Sequence, residues 1–306
     1  MTTNGNGSGG IVDAHHHVWR QADLPWLNGP MVPRIFGPYE PICRDYPMEE
    51  YLADIAGTGV AASVYVQANW PLARSLDEVR WVQEVHVRTG WPSAIVGCAD
   101  LFDPDAGRTL EAQAAASPLM RGVRLQLHWH ENEQYRFAAA PDRMNDRVLR
   151  ENVAKLAGLG WVFELQVFTG QTADAARFVA ALPEVTFVLL HAGMLESTAD
   201  EHVTPWLRGL DLLAEQPNLT VKLSAQGTFV HRVDTELIEL VARSSLERFG
   251  SRRCMFGSNF PIEKLWTDYG TLLAAWQRAL ASQPEAVRRD VFAETARRVY
   301  RLELPE

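Results

Sequence analysis

Three consecutive histidines, His15-His16-His17, follow Asp13 in the first apolar run of the chain. Side chains alternate across a β-strand, so His15 and His17 share one face and His16 takes the other. Two imidazoles so placed can reach one metal ion or one substrate group. Further on, Gly122-Val-Arg124-Leu-Gln126-Leu-His128-Trp-His130 carries a polar side chain at every even position after its opening glycine. Glu164 and Gln166 share a parity in the next run. Lys222, Ser224 and Gln226 share one in a later run, as do Tyr65 and Gln67 in an earlier one. His191 ends one further run, and Asn259 follows another.

His15, His17 and His191 form a workable zinc set, since neutral imidazoles are good ligands for that ion. Zinc would polarise a carbonyl or lower the pKa of a bound water. Arg124 and Lys222 have the charge to hold an anionic substrate or a developing oxyanion. Glu164 has two readings, a catalytic carboxylate or the neutralising partner of one of these cations. Gln67, Gln166 and Gln226 add polar contacts, and Trp19, Trp26 and Trp129 offer flat faces for stacking. A single histidine in such a place is more often structural. Here six of nine (15, 16, 17, 128, 130 and 191) fall at the ends of expected strands, and their convergence is the argument.

The elements that must position these groups alternate from end to end. Strands are expected at 11–17, 61–67, 93–99, 122–128, 162–167, 186–191, 219–224 and 254–257. Between them lie helical stripes. Val203, Trp206, Leu207, Leu210 and Leu213 make one apolar face, as do Leu149, Val153, Leu156 and Ala157. Eight such units predict an α/β fold, a (β/α)8 TIM barrel formed as a single domain over 11–306. A doubly wound open sheet would more often carry a glycine-rich phosphate loop after its first strand, and this chain has histidines there. The helix-facing side of a barrel strand must be apolar, so the polar parity is expected to face the axis and open at the C-terminal mouth. The stretch 18–47 has no periodicity and six prolines. It is expected to be a long β1–α1 loop lying over that mouth, or else an insertion packed on the rim. Residues 291–302 are expected to close the fold as a helix with Phe292, Thr295, Ala296 and Val299 on its buried side.

Composition narrows the function classes. The chain has 306 residues, is 47% apolar and carries a net charge of −9. Nucleic acid and anionic membrane surfaces are therefore not expected partners. No apolar run approaches the ~20 residues of a membrane span. The opening MTTNGNGSGG reads as a polar, disordered tail over 1–10. Three scattered cysteines (Cys43, Cys98, Cys254) suggest neither a disulfide framework nor a metal clip, and a cytoplasmic setting is expected.

Val12-Asp13-Ala14-His15-His16-His17-Val18-Trp19 resembles the opening of the amidohydrolase superfamily. It is closest to the amidohydrolase-related branch that contains sugar-acid lactonases and 2-pyrone-4,6-dicarboxylate lactonase. Gly122-Val-Arg124, His191-Ala-Gly193, Val221-Lys222-Leu-Ser224, Met255-Phe-Gly257-Ser-Asn259-Phe-Pro261 and Glu294-Thr-Ala-Arg-Arg-Val-Tyr300 extend the match over about residues 11–302. The resemblance implies a barrel that hydrolyses lactones, amides or related acyl compounds. His15 and His17 match the HxH pair, His191 matches the later histidine, and Arg124 and Lys222 fall where substrate-anchoring groups are kept. Relatives work with one divalent metal, zinc or manganese, or with none. A homodimer is the assembly to be expected. One residue departs from the pattern: the family usually has aspartate, its general base, where this chain has Asn259. A neutral amide takes no proton at pH 7. His128, His130 or His191 must then take that role, or the reaction is a non-hydrolytic lyase step such as decarboxylation, or the barrel binds without turnover. The leading expectation is a hydrolase acting on a small, anionic lactone or related acyl substrate.

Overall fold

Eight apolar runs pair side by side, all parallel and in chain order: β1 (Ile11–His16), β2 (Val60–Val66), β3 (Ala94–Gly97), β4 (Met120–Gln126), β5 (Val162–Gln166), β6 (Thr186–Leu189), β7 (Leu219–Leu223) and β8 (Cys254–Phe256). This computed structural model describes residues 10–303. The tail expected at 1–10 therefore lies, but for Gly10, outside the described residues. The helices are α1 (Pro25–Asn28), α2 (Met48–Asp54), α3 (Ser75–Thr89), α4 (Ala106–Ala116), α5 (Arg147–Leu159), α6 (Thr172–Ala180), α7 (Asp200–Ala214), α8 (Thr235–Phe249), α9 (Tyr269–Ala279), α10 (Glu285–Arg289) and α11 (Thr295–Tyr300). The fold is the (β/α)8 barrel. No described helix is long and apolar enough to cross a membrane.

The barrel closes between β1 and the segment after β8. Asn259 N–H donates to the His15 carbonyl and His17 N–H to the Phe260 carbonyl, each at 2.7 Å. Gly257 makes this approach possible, since a side chain there would stand 2.6 Å from the His15 Cβ. Asp13 ties the seam together. Its carboxylate accepts from Ser258 N at 2.8 Å, Ser258 Oγ at 2.6 Å, Tyr51 OH at 2.9 Å and Tyr269 OH at 3.0 Å. Desolvation raises its pKa, while these donors act the other way.

Local sequence explains the elements that frame the mouth. Asp146 caps α5 by accepting from Val148 N and Leu149 N, and Gly160, at φ 64°, ends it. Leu149, Val153 and Leu156 bury the stripe between those two signals. The α7 stripe behaves alike, with Trp206, Leu210 and Leu213 buried. The closing segment differs in detail. A π turn at Asp290–Glu294 leads into α11, which buries Thr295, Ala296 and Tyr300. Ala293, Ala296 and Tyr300 pack with Val12, Ala62, Val64, Val96, Val162 and Val188, the small aliphatic lining of the barrel.

Candidate active site

A cavity of about 300 Å³ opens where the strands end. Arg124 and Gln126 of β4 and Gln166 of β5 form part of its floor, joined by His17, His128, His191 and Asn259 from the strand ends. The loop after β1 supplies Trp19, Trp26 and 32–36 to its wall, so that loop lines the mouth. Backbone strain collects at this place. Eight described non-glycine residues have positive φ, and five of them (Asn69, His191, Met194, Ala225, Asn259) line the cavity. Such conformations are sparsely populated and tend to cluster at working sites.

The histidines of β1 divide as alternation requires, but Asp13 does not follow it. Register slips between Asp13 and His16. Asp13 and His16 therefore both face the helices, with His16 stacked on Tyr51 at a ring distance of 4.0 Å. His15 lies one layer beneath the cavity. Its ring centroid is 5.1 Å from that of His17 and 4.9 Å from that of His191. His17 Nδ1 donates to the Val66 carbonyl at 2.7 Å, which leaves Nε2 with its lone pair. His191 Nδ1 pairs with Ser224 Oγ at 2.8 Å. His15 Nε2 is buried without a partner. Burial holds all three imidazoles well below their ordinary pKa. Lys222 adds to this at His15, and Arg124 adds to it at His17 and His191. His128 is pushed down to about 3 by burial and then by Arg124, and its Nδ1 has no partner.

Three neutral imidazoles are the right donor type for zinc, although the Lys222 ammonium donates to His15 Nδ1 and so leaves the His15 proton on Nε2. Even so, among the described residues no three His, Cys, Asp or Glu side chains are gathered closely enough to hold an ion.

Arg124 is the cation of the floor. One guanidinium nitrogen donates to the Gln67 carbonyl at 2.6 Å, and Nε is buried without a partner. Burial lowers its pKa, an effect that Glu164 counters most strongly. Lys222 sits differently from the expectation. It is fully buried against Glu164 at 2.5 Å, with His15 Nδ1 at 3.5 Å, and it does not line the cavity. Glu164 also accepts from Tyr300 OH at 2.6 Å, so its role here is to neutralise Lys222. Gln226 reaches the His191 carbonyl at 3.5 Å and also stays outside the cavity lining. Tyr65 and Gln67 do not face the barrel axis. Tyr65 turns to α3, where Glu78 accepts its hydroxyl at 2.8 Å, and the Gln67 side chain accepts from Asn69 N at 2.6 Å. The barrel face of β2 is Ala62, Val64 and Val66. His130 is also displaced. Strand β4 ends at Gln126, alternation lapses, and the His130 ring goes to Glu196 at 3.3 Å on the rim. Trp129 leaves the cavity too and lies under Arg136.

Two buried carboxyls escaped the reading of the sequence, Glu78 on α3 and Glu263. Glu263 is fully buried behind Asn259 and Thr228, with Trp266 Nε1 donating to it at 3.0 Å. Burial raises it to about 8. Its position next to the Asn259-Phe-Pro261 turn was the only hint available.

The amidohydrolase family model matches residues 12–302. The chain belongs to the amidohydrolase family. Among curated relatives, this amidohydrolase is 29% identical to an L-fucono-1,5-lactonase of Burkholderia multivorans, over 96% of this chain and 97% of that one. It is 27% identical to an L-fucono-1,5-lactonase of Burkholderia ambifaria, over 96% of each chain. Among solved structures, an amidohydrolase from Burkholderia multivorans with bound zinc superposes with a TM-score of 0.79. That pair is 27% identical, covering 96% of this chain and 99% of the other. The protein is an enzyme of hydrolase type from the lactonase branch of this family.

Proposed function

We propose that this amidohydrolase opens a lactone, or a closely related acyl bond, in a small anionic substrate. The observation that carries the reading is the cavity floor. There an arginine with no carboxylate partner within hydrogen-bonding distance faces the same space as three uncharged imidazoles. Arg124 seats the acid group or the acyl oxygen with the part of its guanidinium that lines the cavity. His17 is held in one tautomer by Val66, so its Nε2 presents a lone pair to the substrate side. Asn259 orients substrate through its amide and takes no proton. His128 accepts the proton of the attacking water. At rest, Arg124 helps to depress His128. An anion seated on Arg124 cancels that field, so His128 becomes more basic once substrate is bound.

Should this chain take zinc or manganese, as its zinc-bound relative takes zinc, the donors would come from His15, His17 and His191, which stand too far apart in this structure to hold the ion without moving, and the metal would polarise the acyl oxygen.

The test is a pH-indicator assay of the purified protein on a panel of lactones, amides and esters, with and without added zinc or manganese. Acid release from at least one anionic or acid-forming lactone is expected, and Arg124→Ala should slow it by about 10²–10³. A panel that stays silent in every metal condition would refute the reading. Loss of carbon dioxide from an aromatic or enoic acid, without hydrolysis, would favour the lyase alternative that Asn259 raises.

A further inference from the structure

The upper half of the cavity is built from different chemistry than its floor. Trp26 and Phe36 come from the loop after β1, with ring centroids 6.2 Å apart. Tyr135 and Phe229 come from the loops after β4 and β7, with centroids 5.4 Å apart. All four line the cavity. The Trp26 indole N–H is already used, donating to the Ala68 carbonyl at 3.0 Å. At the lip stand Val32 and Phe137, 48% and 51% exposed, two of the few large apolar side chains left in solvent among the described residues. Arg34, also at the rim, lies over Trp26 and Tyr39, so its flat face extends the ring surface.

A polyhydroxylated sugar acid would meet this cage badly. Hydroxyls that face these four rings would lose water without gaining partners there, at a cost, while Asn69, Glu133, Gln134, Arg136 and Thr228 give the same cavity a polar edge beside the ring surface. We propose that the cage receives an aromatic ring carried by the substrate beyond its acyl group, so that the substrate is amphipathic: an acid or lactone head on the polar floor and an aryl substituent above it. The proposal deepens the acyl-hydrolase reading and rests on it for the reaction, but not for the binding. At about 300 Å³ the cavity lies at the small end of ligand pockets, which suits one small head and one ring.

The experiment uses probes that cannot be hydrolysed, so its outcome does not depend on turnover. The purified full chain is titrated calorimetrically with 4-phenylbutanoate, butanoate and gluconate. The phenyl acid is expected to bind at least about tenfold more tightly than butanoate, and gluconate more weakly than the phenyl acid. Phe229→Ala and Tyr135→Ala should each cut the phenyl preference to about threefold or less, with Phe229→Leu falling between. Arg124→Ala should weaken both simple acids alike. Circular dichroism of each variant confirms the fold. Equal binding of the two simple acids, gluconate as the tightest ligand, or no binding of any probe would overturn the proposal. If no lactone is ever opened yet the phenyl preference holds, the acyl-hydrolase reading fails while the aryl site stands.

Discussion

The Nζ of Lys222 stands 2.5 Å from Oε1 of Glu164, and neither side chain reaches solvent. The two come from β7 and β5, 58 positions apart in sequence. Tyr300 of α11 completes the group from below, and His15 lies above it. Burial holds Lys222 down to about 8 even with the carboxylate beside it. The lower barrel is thus a compensated charge cluster, and among the described residues the free cation of the cavity floor is Arg124.

Removing one partner of that cluster leaves a buried charge uncompensated. Lys222→Met or Glu164→Gln is expected to lower stability by about 3–5 kcal/mol, read from urea denaturation. The double variant Lys222→Met/Glu164→Leu should recover much of the loss. Single variants within about 1 kcal/mol of the parent would show that the pair does not hold the barrel.

Glu263 makes a pH prediction with a definite sign. Its folded pKa, about 8, is above the ordinary 4.5, so the native state binds the extra proton between those values. Its stabilising contribution is complete below about pH 4.5 and is lost as pH rises through 8. The stability advantage of the parent over Glu263→Gln should therefore shrink by a few kcal/mol from pH 4.5 to 8. A pH-independent difference between the two proteins would count against a buried, protonated Glu263.

The depressed imidazoles act in the opposite direction. His15, His17, His128 and His191 all titrate below their ordinary value because burial disfavours the cation. The unfolded chain takes up protons first, so stability is full above about pH 6.5 and falls steadily as pH drops. Denaturation midpoints measured from pH 8 to pH 4 should follow that course. His128→Gln should flatten part of the slope, and an unchanged slope would contradict its buried, neutral state.

Arg124→Ala should reduce kcat/KM on an anionic substrate by about 10²–10³, the usual worth of a buried charge-assisted contact. Arg124→Lys should recover only part, because an ammonium lacks the planar fork. A variant with unchanged kinetics would remove Arg124 from the site.

Much of the barrel could be read from alternation and helical stripes, because apolar periodicity reports the face each element buries. Arg124, Gln126 and Gln166 were legible for the same reason. What alternation could not reveal was tertiary. The register slip in β1 carries Asp13 to the helix side, where Ser258, 245 positions away, meets it. Strand β2 alternates, but its polar parity faces the helices, where Glu78 on α3 accepts the Tyr65 hydroxyl. His130 lies past the point where β4 ends, so a period of two no longer applies to it. Lys222 looked like an anion anchor until Glu164 and Tyr300, both far away in sequence, were seen to enclose it.

The most direct test of the central claim follows solvent oxygen. Turnover of an opened lactone in ¹⁸O-labelled water should place one solvent oxygen in each acid product, and labelled product should form about 10²–10³ more slowly in Arg124→Ala. Product formed without solvent oxygen would contradict acyl hydrolysis at this floor and assign the barrel to lyase chemistry.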